Sequence, residues 1–262
     1  YDKCASLGAS EEQIEESQKA VAHLDAIIGD PDRLKAVAKD FISHYEKRVE
    51  EGSTVAGKAM FVCANRLIAY AFYLNLMELR PEWKEKRKAP EGVELTEKEE
   101  KELKPIEKVR LVMTRNKDDE KELYEMLGTK EDRKELDRQF KNVKSNFKIA
   151  IVVDMWLTGF DVPCLDTIYI DKPIQQHTLI QTISRVNRVY EGKDRGLIVD
   201  YIGIKKNMNV ALRKYTNFEK EELDDVSQAV TIVLDQLEVL DQMFLNFSAK
   251  NYYVGSPVEQ LN

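Results

Sequence analysis

Apolar positions along the chain fall into two textures. Over the first fifty residues they recur at helical spacing. Ser10 and Gln13 form a capping-box pair ahead of Ile14, Val21, Leu24 and Ile28. Asp30-Pro31 then pairs an N-cap residue with a proline at the first helical position, in front of the stripe Leu34, Val37, Ala38, Phe41, Ile42 and Tyr45. After the Gly52–Gly57 break, short apolar runs alternate with amphipathic stretches. The runs Ala59–Ala64, Val109–Thr114, Ile149–Asp154, Thr167–Asp171 and Gly196–Ile202 are rich in Val, Ile and Tyr and bounded by polar or glycine positions, as buried strands are. Between them Ile68, Ala69, Phe72, Tyr73, Leu76 and Met77 mark one helix, Leu136, Phe140 and Val143 another, and Leu179, Ile180, Ile183 and Val186 a third. Such alternation predicts an α/β fold, a parallel sheet with helices on both faces.

Two stretches fall outside that pattern. Residues 82–108 are dominated by Lys and Glu with scattered Pro and Gly, which reads as a solvated, partly disordered insertion. Near the C-terminus Val226, Val230, Val233, Leu237, Leu240, Phe244 and Phe247 form a heptad seam of about three repeats, short for a coiled coil and suited to packing within the chain's own helical region. The expected division is an N-terminal helical segment over 1–50, an α/β lobe over 51–204 and the start of a helical domain over 205–262.

Composition narrows the classes. The 262 residues are 43% hydrophobic and 33% charged, which fits a soluble globular protein with a sizeable core. No apolar run is long enough for a membrane span and no secretion leader is present, so the cytoplasm is the expected location. The start at Tyr1 reads as that of a trimmed fragment. Cys4, Cys63 and Cys164 lie far apart, so neither a disulfide nor a zinc site is expected. A net charge of −7 argues against general coating of nucleic acid while leaving room for a local basic groove.

One motif is a decoy. Gly52-Ser-Thr-Val-Ala-Gly57-Lys58-Ala59 has P-loop spacing until its last position, where Ala59 lacks the hydroxyl that binds Mg2+. The context is inverted as well, because a P-loop follows a strand and opens a helix. Asp154 ends an apolar run, but Met155-Trp156-Leu157 supplies no glutamate to activate water.

Residues 149–203 carry the chemistry. A strand is followed by the loop Leu157-Thr158-Gly159-Phe160-Asp161-Val162-Pro163, where Gly159 permits a tight turn and Asp161 offers a carboxylate suited to ribose hydroxyls. A second strand leads to a helix beginning near Thr178 with Gln181, Arg185 and Arg188 on one face. Pairing with nearby carboxylates is the plain use of such arginines. Their position one short segment after the TGFD loop and strand favours phosphate instead, since guanidinium is always charged and binds phosphate oxygens bidentately.

The runs DMWLTGFDVPCLDTIYIDKP, HTLIQTISRVNRVY and GLIVDYIGI resemble motifs V and VI of superfamily 2 helicases, and more closely the R subunit of type I restriction-modification enzymes. KAMFVCANRLIAYAFYLNL (58–76) is similar to the family's motif IV strand and helix, and RLVMTRN (110–116) to its next strand. The likeness covers about residues 35–215. It implies a RecA-like second motor lobe, with ATP and Mg2+ bound mainly by a first lobe that supplies the P-loop and the Asp-Glu box. On that resemblance Gly159 and Asp161 lie by the ribose, Arg185 and Arg188 are arginine fingers, and Gln181 links the phosphates to lobe motion. Thr158, Asn65 and Arg66 touch the DNA backbone, Trp156 is packing, and His177 marks the helix start.

The implied partners are double-stranded DNA, the first lobe of the same chain, and the methyltransferase and specificity subunits of a type I complex. No membrane partner is expected. No nuclease site stands out, since strings such as Glu99-x-Lys101 fall in the charge run. These residues alone are expected to be monomeric and to turn over neither ATP nor DNA. Two alternatives use other features: a self-contained P-loop nucleotidase, and a docking scaffold built on the heptad helix.

Overall fold

The computed structural model describes residues 19, 22, 24–157, 159–174, 176–193 and 195–203. The Ser10–Gln13 pair, Thr158 and the heptad seam of 226–247 lie outside the described residues, and so do the side chains of His177 and Ile180.

Five strands form one sheet: β1 (Lys58–Cys63), β2 (Val109–Val112), β3 (Ile149–Val152), β4 (Leu165–Asp171) and β5 (Leu197–Asp200). Their order is β2-β3-β1-β4-β5, and every pairing is parallel. The helices are α1 (Pro31–Glu50), α2 (Arg66–Leu79), α3 (Glu97–Glu102), α4 (Lys121–Leu127), α5 (Lys130–Lys141) and α6 (Gln176–Val186). The parallel α/β architecture read from the sequence is the one observed. Among the described residues no helix is long and apolar enough to cross a membrane.

Period-two alternation along buried strands makes two cores, one on each face of the sheet. Ala59, Phe61, Cys63, Leu111, Ile151 and Tyr169 face α1, α2 and α4. Met60, Val62, Val112, Val152, Ile168 and Ile170 face α5, α6 and the loop between β3 and β4. In the first core Phe41 of α1 meets Phe61 and Tyr169 edge-on at 5.4 and 4.7 Å, and Phe61 stacks on Phe72 of α2 at 3.9 Å. Helix α1 is therefore a covering layer of this sheet. It starts where the sequence indicates: the Asp30 carboxylate accepts from the Arg33 amide at 2.9 Å, with Pro31 in the first turn. All six apolar positions of its stripe are buried.

The stretch 82–108 departs from the expectation of a solvated, partly disordered insertion. Trp83, Leu103 and Ile106 are buried. Arg87 and Ile106 exchange both backbone hydrogen bonds, and the Asn146 side-chain amide donates to the Ile106 carbonyl at 2.7 Å. Helix α3 has a reciprocal capping box between Thr96 and Glu99. Glu99 and Glu100 pair with Lys144 and Lys88 at 2.8 and 2.6 Å, and the Lys108 ammonium sits 4.7 Å over the Trp83 ring. Apolar anchors near the two ends of this segment, Trp83 at one and Leu103 with Ile106 at the other, order it, and charge pairing takes up the rest.

Candidate functional site

The site is built on the loop from β3 to β4 and on α6 beside it. Burial alternates along the loop: Trp156, Leu157, Phe160 and Val162 are buried, whereas Gly159 and Asp161 are exposed. The Trp156 ring lies flat on Phe160 at 4.0 Å and 9°, with Phe140 of α5 at 5.3 Å. Trp156 is thus packing, as the sequence reading holds. Its backbone is at φ 69°, the left-handed region that a bulky residue adopts only under constraint, and Gly159 follows at φ 71°. The aromatic stack therefore fixes a strained turn that pushes Gly159 and Asp161 outward.

Helix α6 closes on this loop. It starts at Gln176, two residues before the expected Thr178, and ends at Val186. Gln181 and Arg185 lie one turn apart on it, both half-buried. The Arg185 Nε donates to the Leu157 carbonyl at 3.1 Å, and its Nη1 donates to the Phe160 carbonyl. Burial, with the neighbouring Arg188 charge, lowers the Arg185 pKa. Arg188 stands two residues beyond the helix end rather than on its regular face. Its Nη1 still reaches the Asp161 carboxylate at 2.8 Å, and the two side chains are 48% and 52% exposed. An ion pair this open is worth about 0–1 kcal/mol, so both groups can exchange partners. The rim thus offers a carboxylate for hydroxyls and a guanidinium for phosphate, over a loop held by buried contacts.

Asn65 and Arg66 have intramolecular tasks. The Asn65 side-chain oxygen caps α2 by accepting from the Ile68 amide at 3.0 Å. Arg66 holds both carboxylate oxygens of Asp119 and donates to the Thr114 carbonyl, which fixes the turn after β2.

The decoy loop is explained by Asp166. The amides of Val55, Ala56 and Lys58 donate to its buried carboxylate at 2.9, 3.2 and 3.2 Å, so the chain supplies its own anion. The Lys58 ammonium points inward to the Phe147 carbonyl at 2.5 Å, and burial holds its pKa well below that of an ordinary lysine. Asp154 pairs with Lys172 at 2.5 Å. The buried Lys58 ammonium is therefore turned away from any nucleotide phosphate.

Two carboxylates escaped the sequence reading, Asp166 and Asp171. Both are buried, and both interrupt the apolar run of β4. An acid inside a buried strand is itself a signal, because it demands a partner. The partners, Arg33 and the amides of 55–58, are more than 100 residues away and carry no local mark.

Residues 55–203 match the family profile described as "Type I restriction enzyme subunit R domain 3". The HindI type I restriction enzyme endonuclease subunit of Haemophilus influenzae is 35% identical over 254 residues, covering 95% of this chain and 22% of the relative. The MjaIXP endonuclease subunit of Methanocaldococcus jannaschii is 35% identical over 256 residues, covering 96% and 22%. The chain thus spans about a fifth of the length of these relatives. Among solved structures, a fragment of an HsdR subunit of a type I restriction enzyme from Vibrio vulnificus YJ016 has a TM-score of 0.47 at 16% identity, covering 71% of this chain and 31% of that one.

Proposed function

The chain belongs to the type I restriction enzyme R-subunit family, and from that premise we propose that it is the second motor lobe of an ATP-dependent double-stranded DNA translocase. The relatives named as endonuclease subunits support the enzyme class. One observation carries the role of this lobe: Arg188 and Asp161 meet at an exposed rim, on a loop fixed from beneath. ATP bound by a first lobe would draw them apart, Asp161 to the ribose hydroxyls beside Gly159, and Arg188 to the terminal phosphate. There a guanidinium stabilises the charge that develops in phosphoryl transfer. Gln181, one turn before Arg185, would pass lobe closure to the phosphates.

The residues present fit the sugar and phosphate side of such a site. On the resemblance, Mg2+ is assigned to the first lobe, together with the P-loop and the Asp-Glu box.

Double-stranded DNA, the methyltransferase subunit and the specificity subunit are the proposed partners. Thr158, Asn65 and Arg66 are assigned to the DNA backbone on the resemblance alone. A phosphate reaching Arg66 must displace the Asp119 carboxylate, so this grip belongs to the DNA-bound state. A self-contained P-loop nucleotidase finds no support in the inward Lys58 or the Asp166-filled loop.

Translocation by a complete R subunit carrying Arg188→Ala tests the proposal, with triplex displacement as the readout. Pumping should stop while DNA binding persists; pumping at the wild-type rate would overturn the assignment.

A further inference from the structure

We infer that Lys193 is a positioning residue for Arg188: it pins the segment after α6 to the chain entering β4, so that the exposed guanidinium stays at the rim while it exchanges a carboxylate for phosphate. The inference rests on the assignment of Arg188 proposed above. Contacts of two kinds join residues 187–193 to residues 161–163. Arg188 meets the Asp161 carboxylate where both side chains are about half exposed. Further on, the Lys193 Nζ donates to the Pro163 carbonyl at 2.9 Å, and this lysine is only 5% exposed. An open ion pair between flexible side chains exchanges readily, whereas a buried ammonium that gave up its carbonyl would stand unpartnered where water has little access. The lysine contact is therefore the lasting one.

The chain on each side of that contact is stiff. Residues 190–193 form a turn in which the Lys193 amide donates to the Tyr190 carbonyl at 2.8 Å. Gly192, at φ 77°, supplies the left-handed backbone that the third position of such a turn takes. Toward the helix, the Asn187 amide still donates to the Ile183 carbonyl at 3.1 Å, so Arg188 follows directly on the last turn of α6. On the facing segment Val162 is buried, Pro163 has its φ fixed by the ring, and the Leu165 amide donates to the Val162 carbonyl at 3.0 Å as β4 begins. Arg188 thus lies between a helix end and a pinned turn, on neither a helix nor a strand. A group that serves a transition state must be held within about 0.5 Å of its productive place, and off a regular element that takes a second anchor. Lys193 is bound inward, so its effect on phosphate passes through Arg188.

The test compares Lys193→Met, which keeps the length and removes the donor, with Lys193→Arg in a complete R subunit, reading kcat and KM for DNA-stimulated ATP hydrolysis. In Lys193→Met kcat should fall roughly tenfold while KM for ATP stays within about twofold of wild type, as befits a contact that matters most in the transition state. Lys193→Arg restores a donor and should recover part of kcat. Hydrogen exchange of residues 187–193 should rise in Lys193→Met while that of β1 and β3 stays at the wild-type level. Adding Lys193→Met to Arg188→Ala should lower kcat no further, since the residue it positions is gone. An undiminished kcat in Lys193→Met, or an equal further loss in the Arg188→Ala background, would overturn the positioning role. Faster exchange across β1 and β3 would overturn it too, by making Lys193 a support of the whole fold. Full turnover by Arg188→Ala would instead remove the assignment beneath the inference, so the two failures are told apart.

Discussion

Arg33, in the first turn of α1, grips the buried Asp171 at the end of β4 with two parallel hydrogen bonds, at 3.0 and 2.5 Å. The same guanidinium also donates to the Ile28 carbonyl at 3.0 Å, and the pairing with Asp171 raises its pKa. This pair binds a covering helix to the central part of the sheet. Arg33→Ala leaves a carboxylate uncompensated in the core and should cost about 3–5 kcal/mol. Replacing both partners by apolar residues of similar volume should cost much less. Denaturation of the two variants separates a required pair from a replaceable one, and equal losses would contradict this reading.

Lys58 should be dispensable for nucleotide chemistry. Lys58→Met removes a buried ammonium that donates to a backbone carbonyl and, among the described residues, to no carboxylate, so stability should be unchanged or slightly higher. ATP hydrolysis by a complete R subunit should also be unchanged. Asp166→Ala should act in the opposite direction, because three amides lose their acceptor, with an expected loss of roughly 2–4 kcal/mol. A hydrolysis defect in Lys58→Met that leaves stability intact would revive the P-loop reading.

Trp83 should prove that the 82–108 stretch is part of the folded body. It is buried under the Lys108 ammonium, and truncation of a buried tryptophan costs about 3–5 kcal/mol. Trp83→Ala should also make the segment sensitive to limited proteolysis, while Glu97→Ala on exposed α3 should do neither. Equal resistance in both variants would contradict the packed arrangement.

That segment marks a limit of what local sequence reveals. Strands β1 to β5 and helix α1 were legible because their apolar runs and stripe are continuous and the cap of α1, Asp30-Pro31, is local, whereas the capping role of Asn65 on α2 was not read. Trp83, Leu103 and Ile106 have no period, so their shared burial was hidden under an average dominated by charge. The candidate site divides in the same way. The residue types of Asp161, Arg185 and Arg188 mark a rim, but which arginine turns inward depends on where the Leu157 and Phe160 carbonyls lie, and no spacing encodes that. The end of α6 at Val186 likewise moved Arg188 off the expected face.

Lys148 gives a pH signature. Burial lowers its pKa to about 8, and its ammonium donates to the Val143 carbonyl at 2.6 Å. Between that value and the ordinary lysine pKa of about 10.4 the unfolded chain binds more protons, so this group makes stability rise with pH and ceases to do so above the unfolded value. Relative to Lys148→Met, the wild type should gain up to about 1.4 kcal/mol per pH unit within that window. Urea denaturation at pH 7, 8 and 9.5 checks this; parallel curves for the two proteins would contradict it.

Single-turnover ATP hydrolysis on saturating DNA, compared between wild type and Arg188→Ala in a complete R subunit, tests the central claim most directly. If the guanidinium now resting on Asp161 serves the terminal phosphate, the rate should fall by about 10³-fold or more with DNA affinity unchanged. A rate within tenfold of wild type would mean that Arg188 never leaves its carboxylate for the nucleotide, and the motor-lobe account would fail.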